Sequence, residues 1–195
     1  VTDPEYTDGE GWMSSSFGAG SSKTIALKTT NIYTNGPAAE LKTTVSAWTK
    51  DFAVLENNHT KVSLDATLLF DSSYNGYKTF HHQFLLPTGV LSSTTSNLKI
   101  ESIDIPGVQS DQYVAVAFAH LKYPHTFNME QSDSVFIHIP NTILQTKTRF
   151  DIQNFNANST VYLYDLNDRR RITALPVSGG YSLLFANFNK NFEGY

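Results

Sequence analysis

Cysteine is absent from the 195 residues. No disulfide framework, zinc–thiolate centre or thiol nucleophile can be assembled from them, so any cysteine chemistry lies outside this stretch of polypeptide. Charge is also sparse, at 16% of residues, and the small imbalance is acidic, −4 with histidine neutral. A nucleic-acid binder normally carries a basic stripe that releases counterions from phosphates, and no such partner is expected. Apolar runs never approach the roughly 18 residues of a membrane-spanning helix, so no membrane span is expected. The start VTDPEYTDGEGW lacks the basic residues and apolar stretch of a secretory leader. With an interior-looking Val1 and the ending NFEGY, the chain is expected to be a processed or excised piece of a larger multidomain protein. Catalytic signatures are missing as well: no G-x-S-x-G elbow, no H-E-x-x-H pair, no D-x-D-x-D-G loop and no carboxylate pair that spacing places across a substrate. The expectation is a chain that is not itself an enzyme, with no catalytic, cofactor-binding or metal residues, no cofactor, and a ligand site that spacing does not identify.

Apolar and aromatic residues, by contrast, are plentiful at 40% and 13%, enough for a real core. All-β chains of this length commonly form one unit, so a single domain over residues 1–195 is expected. Alternating or buried apolar runs predict strands at Thr24–Thr29, Leu41–Trp48, Lys61–Leu69, Phe80–Leu86, Leu98–Ile105, Tyr113–Tyr123, Val135–Ile139, Arg149–Asn154, Thr160–Leu166, Arg171–Val177 and Tyr181–Phe185. Helical periodicity is confined to the short stretch Thr49–Glu56. Between the strands lie turn clusters such as TNGPAA, SSYNGY, PTGVLSSTTSN, PGVQSDQ and VSGGY. Many short strands at regular turn spacing predict an all-β, antiparallel β-sandwich of jelly-roll type, with FNAN to YDLN as the place where a small second lobe would begin.

The stretch AHLKYPHTFNMEQSDSVFIHIPN, Ala119–Asn141, holds three of the six histidines and looks most like chemistry. Strand alternation puts Val114, Val116, Phe118 and His120 on one face and Ala115, Ala117, Ala119 and Leu121 on the other, a central strand with two apolar faces. Pro124 ends it, HTFNMEQSDS becomes a loop, and Val135, Ile137 and Ile139 turn inward on a return strand that carries His138 outward. His120 and His138 could approach across adjacent strands in a register that the sequence does not establish, with His125, Glu130 and Asp133 as the remaining metal-ligand types. Strands and a loop explain the pattern without a metal.

Other motifs have a structural reading beside the chemical one. GAGSSKT, Gly18–Thr24, resembles a phosphate loop but has Ser22 where glycine precedes the lysine, and a strand follows it instead of a helix. Asn75-Gly76 predicts a tight hairpin with Tyr74 and Tyr77 as a cross-strand pair, and exposed tyrosines there would suit a sugar ring. Asp168–Arg171, DRRR, would grip a carboxylate or phosphate, or form a solvated turn neutralised by Asp165 and Asp168. Asn58-His59-Thr60 and Asn158-Ser159-Thr160 fit the N-glycosylation pattern.

Four segments carry a resemblance: GEGWM at Gly9–Met13, LKYPHTFNME at Leu121–Glu130, SVFIHIPN at Ser134–Asn141 and VYLYDLNDRRRITALPV at Val161–Val177. Together they resemble the β-rich region upstream of the catalytic domain in gingipain-like cysteine peptidases, most closely the signal peptidase branch of the type IX secretion system. His125 stands where that family often has arginine, and Asn167 departs from its later segment. The resemblance implies a bacterial protein at the cell surface or outside it, whose catalytic histidine and cysteine belong to a caspase-like domain downstream. This chain would then be a noncatalytic β-sandwich that packs on that peptidase domain or contacts secretion cargo or outer-membrane secretion components. The competing expectation is an extracellular carbohydrate-binding or adhesin-type jelly roll, marked by three or more exposed aromatics on one concave face.

Overall fold

The computed structural model describes residues 12–49, 54–108, 112–139, 147–157, 159–186 and 192–195. Contacts divide the chain into two compact units, Val1–His125 and Thr126–Tyr195, each with its own buried apolar cluster. The lobe boundary that the sequence suggests near FNAN falls inside the second unit.

The first unit contains β1 (Phe17–Gly18), β2 (Ser22–Lys28), β3 (Ala39–Thr49), β4 (Asn58–Leu64), β5 (Thr67–Tyr74), β6 (Lys78–Leu86), β7 (Thr95–Ser102) and β8 (Gln112–Lys122). Their ladders form two antiparallel sheets, β1-β8-β3-β6 and β2-β7-β4-β5. That interleaving is the double Greek key of a jelly roll, as the strand and turn spacing predicts. Alternation builds the core: Ala39, Leu41, Val45 and Ala47 of β3 and Val62, Leu64, Leu98 and Ile100 of the other sheet are wholly buried. Along β6, His82 stacks between Phe80 and Phe84 with ring centroids 5.6 and 5.3 Å away, and Phe70 of the other sheet closes to 4.5 Å. Burial, helped by His81, pushes the His82 pKa down and keeps the ring neutral, as an apolar setting requires.

Three sequence expectations change in this unit. Lys61–Leu69 is a hairpin rather than one strand, because Asp65 adopts φ 48° and Leu64 pairs with Thr67. No glycine marks that turn; the Asp65 carboxylate holds it by accepting the Asn97 N–H and the Ser92 hydroxyl, both at 2.9 Å. Asn75-Gly76 is not a hairpin, since β5 pairs with β4 and β6 with β3. It is the corner where the chain changes sheets, tied down by Asn58 donating to the Gly76 carbonyl at 2.7 Å and by the Gly76 N–H donating to Asn57 at 2.8 Å. Tyr74 and Tyr77 accordingly part: Tyr74 is buried against Thr60, while Tyr77 is exposed and stacks on Trp48.

The third change concerns β8. Val116 pairs with Val45 and Phe118 with Thr44, which leaves Ala117 as the extra residue of a β-bulge. The bulge reverses the alternation, so Val114 and Val116 are followed into the core by Ala119 and Leu121, while His120 is exposed. Thr43, buried on the neighbouring strand, donates to the Phe118 carbonyl at 2.7 Å beside the bulge. Of the short stretch Thr49–Glu56, Thr49 ends β3, Val54–Glu56 are bend and turn, and residues 50–53 lie outside the described residues.

Tyr74 supplies a pH test. Burial pushes its phenol up to about 12, even though the Thr60 hydroxyl bond at 2.6 Å works the other way. A folded pKa above the unfolded value of 10.0 means that the unfolded chain releases its proton first as pH rises. Stability should therefore fall between pH 10 and about 12, and Tyr74→Phe should flatten that limb. Denaturant midpoints at pH 9 and 11 for both proteins check this, and equal slopes would refute it.

The second unit contains β9 (Ile137–Ile139), β10 (Lys147–Gln153), β11 (Tyr162–Asp165), β12 (Arg170–Thr173), β13 (Leu175–Val177), β14 (Gly180–Ala186) and β15 (Phe192–Gly194). They form the sheets β10-β14-β13 and β12-β11-β15-β9. The predicted strand Arg171–Val177 breaks at buried Ala174, because β12 and β13 belong to different sheets. Phe150, Phe185 and Phe192 make the aromatic heart of the core, with Phe185 and Phe192 ring centroids 4.3 Å apart.

Candidate functional site

The histidines of the opening stretch do not converge. β8 pairs with β3 and β1, and β9 pairs with β15, so His120 and His138 are not on adjacent strands. The inward faces explain it, since Ile137 and Ile139 pack against the second core while Val114 and Val116 belong to the first. His125 is exposed beside Tyr123, and His138 lies 3.9 Å from Glu193 on an exposed face. Glu130 and Asp133 join no ligand set: among the described residues, no three His, Asp or Glu side chains gather to hold a metal ion.

The remaining motifs resolve into structure. Gly18–Thr24 turns into β2 through Gly20 at φ 71°, with no helix amino terminus to receive a phosphate. Asn58 is wholly buried, which closes Asn58-His59-Thr60 to glycosylation in the folded protein, while Asn158 lies outside the described residues. The DRRR segment is a turn organised by Asp165, only 2% exposed. Its Oδ1 accepts the N–H groups of Asn167 and Asp168 at 3.1 and 3.0 Å, and its Oδ2 accepts Arg170 at 2.7 Å. Arg170 also donates to Asp168, and Arg171 lies over the Tyr162 ring at 4.6 Å, so two of the three arginines are already engaged within the fold.

Burial works against the Asp165 charge, but the Asp168 N–H, Arg170 and the Asn167 N–H outweigh it and hold the carboxyl below its ordinary value. Its contribution to stability is complete above 3.8 and is lost as pH falls below that toward the lower folded value. Asp165→Ala should cost about 2–3 kcal/mol, since it strands two turn donors and a guanidinium. Urea unfolding at neutral pH, followed by signals of the second unit, measures the loss.

What sequence spacing did not find is a cleft of about 340 Å³ in the second unit. One wall is Ser159–Tyr164, leading into and along β11, and the other is Asp133–Val135, leading into β9. Ile152, Leu183, Phe155 and Ala157 form an apolar floor, and Tyr195 stands at one end. Hydroxyls of Ser134, Ser159 and Thr160 edge it, and Asp133 is its single charge among the described residues. Such a lining buries apolar groups and orients them with a few polar atoms, and at its exposed edge the Ser134 hydroxyl donates to Asp133 at 3.1 Å. Tyr162, Tyr164 and Tyr195, which border the cleft, and Phe136 beside it are all exposed. The register sets Tyr164 against Tyr195 by reciprocal backbone bonds and continues to Phe136 next to β9. The alternations Val135-Phe136-Ile137 and Val161-Tyr162-Leu163 were readable in sequence, but the pairing that brings them together was not.

No family model matches the sequence, and no curated protein does. Among solved structures the chain is similar to dimeric latent PorU from Porphyromonas gingivalis, with a TM-score of 0.56 and 12% identity over 95% of this chain and 18% of that one. The chain thus spans under a fifth of that structure's length, and the likeness is one of fold. Among the described residues, no helix is long and apolar enough to cross a membrane.

Proposed function

We propose that this chain is a noncatalytic β-rich part of a gingipain-like cysteine peptidase of the type IX secretion system, placed at the bacterial surface or outside the cell. It packs on the catalytic domain of the same polypeptide or contacts cargo or outer-membrane secretion components. The observation that carries the reading is the fold shared with one part of PorU across nearly the whole chain. The four sequence segments that resemble this peptidase family support it independently of the fold. Absent cysteine accords with chemistry performed elsewhere. The gene read past Tyr195 should encode a caspase-like domain with a histidine and a cysteine, and a stop codon or an unrelated domain would overturn the reading. The isolated chain should cleave no unstructured polypeptide; cleavage that survives repurification and vanishes with one substitution in this chain would sink its noncatalytic part.

A second reading, an extracellular carbohydrate-binding module, draws on the exposed row of Tyr162, Tyr164, Tyr195 and Phe136. Under it, Tyr164→Ala abolishes retention on an insoluble polysaccharide. No retention of the parent chain on a panel of polysaccharides removes this alternative.

A further inference from the structure

The cleft in the second unit continues the line of one β-strand. β15 runs antiparallel to both neighbours, with Gly194 opposite Asp165 of β11 and Ile137 of β9. Tyr195 carries the ladder one residue further by exchanging backbone hydrogen bonds with Tyr164 at 2.8 and 3.0 Å. Continued along the same line, the next position falls between Leu163 and Val135, and the following one between Tyr162 and Ser134. These are the walls of the cleft.

Side-chain alternation agrees with the lining. Gly194 is buried and Tyr195 exposed, so the next side chain points inward, over Ile152 and Leu183, and the one after it outward. Backbone direction agrees too. The Ala174 N–H donates to the Val161 carbonyl at 3.0 Å, which assigns the backbone groups of Val161 and Leu163 to β12. Those of Tyr162, like those of Tyr164, therefore point along the line of β15, and no described residue pairs with them. On the far wall, the same alternation turns the backbone groups of Ile139, Ile137 and then Val135 toward the line of β15, so both walls offer a pairing edge.

We propose that the cleft takes an extended polypeptide strand, antiparallel to β11 and in line with β15, supplied by residues joined directly to Tyr195 in a longer polypeptide. The proposal rests on the reading of the chain as one part of a larger protein. A tethered strand enters with neither a loop to close nor the translational cost of association, whereas a free peptide or a second copy carries that cost. Its first side chain, opposite Leu163 and Val135, is apolar.

The test compares the 195-residue chain with the same chain carrying the next six or so residues of its own gene. Amide exchange at Tyr162 should slow at least about tenfold in the longer chain, and the melting temperature should rise by about 2–4 °C. An aspartate at the first appended position should erase both gains. Equal exchange at Tyr162, or gains that survive the aspartate, would overturn the proposal. So would protection of Tyr162 that grows with concentration in the shorter chain, which assigns the cleft to a second copy. A stop codon after Tyr195 removes the peptidase reading and the strand together. A gene that continues into a caspase-like domain while Tyr162 stays unprotected removes the strand alone.

Discussion

Val116→Asp is expected to yield no folded first unit, while His125→Ala unfolds within about 0.5 kcal/mol of the parent chain. Val116 is 3% exposed on β8, paired with Val45 of the central strand β3 and packed in the jelly-roll core. A carboxylate there is buried in a cluster made almost wholly of apolar side chains, and burying it unpaired costs several kcal/mol, a large part of what a domain of this size has to lose. Ala117→Asp, one residue on, should be milder, because Ala117 is the half-buried extra residue of the bulge and not a member of the core cluster. His125 is exposed on the isolated bridge to Ile32, and trimming its imidazole removes little packing. Denaturant unfolding of the three variants, followed by the fluorescence of Trp48 between Tyr77 and Tyr113, ranks them. A benign Val116→Asp beside a collapsed His125→Ala would reverse the assignment of core and loop.

Gly180→Ala should damage the second unit more than any other single methyl. Gly180 opens β14 opposite Gln153 of β10, and a Cβ built there would overlap the backbone carbonyl oxygen of Ile152 and crowd the Gln153 Cα. The obstacle is main chain on a paired strand, so no side chain can swing aside to make room. Relief requires the β10–β14 ladder to part at its end, which moves Ile152 and Tyr181 out of the aromatic core. The cost should be about 3 kcal/mol or more, at the upper end of overpacking. Gly179→Ala, at φ 81° but with open space around its Cβ, isolates the backbone-strain contribution and should cost about 1 kcal/mol. Equal melting temperatures for the two variants would show that the ladder yields freely.

The fold class was legible because it depends on local pattern. Alternation in Leu41–Trp48, Leu98–Ile105 and Tyr113–Tyr123 tells which faces are apolar, and Gly, Pro and Asn clusters tell where strands stop. Errors arose where a turn or bulge carries no local mark. Asp65 turns the chain without glycine because Asn97 and Ser92, about thirty residues away, satisfy its carboxylate. Asn75-Gly76 reads as a hairpin in any local window, and becomes a corner between sheets only because the amides of Asn57 and Asn58 grip it.

The candidate site shows the same division between local and distant information. Absence of cysteine and of a nucleophile–base spacing followed from residue types alone, as did the expectation that Asp165 and Asp168 neutralise the DRRR turn, which their bonds to Arg170 bear out. The histidine pair does not form because proximity of His120 and His138 required β8 and β9 to be neighbours, and strand order depends on which apolar faces find a common core. The cleft was invisible for the same reason. Its walls, Asp133–Val135 and Ser159–Tyr164, are some thirty residues apart and meet only because β15, the last strand, pairs with both β9 and β11. Sequence by itself determined the all-β class, the jelly-roll spacing and the exclusion of thiol chemistry, since each follows from residue identity or from alternation within a few positions. Tertiary structure alone decided the bulge at Ala117, the division into two units and the cleft in line with β15, because these depend on hydrogen-bond register between distant segments, to which local alternation is blind.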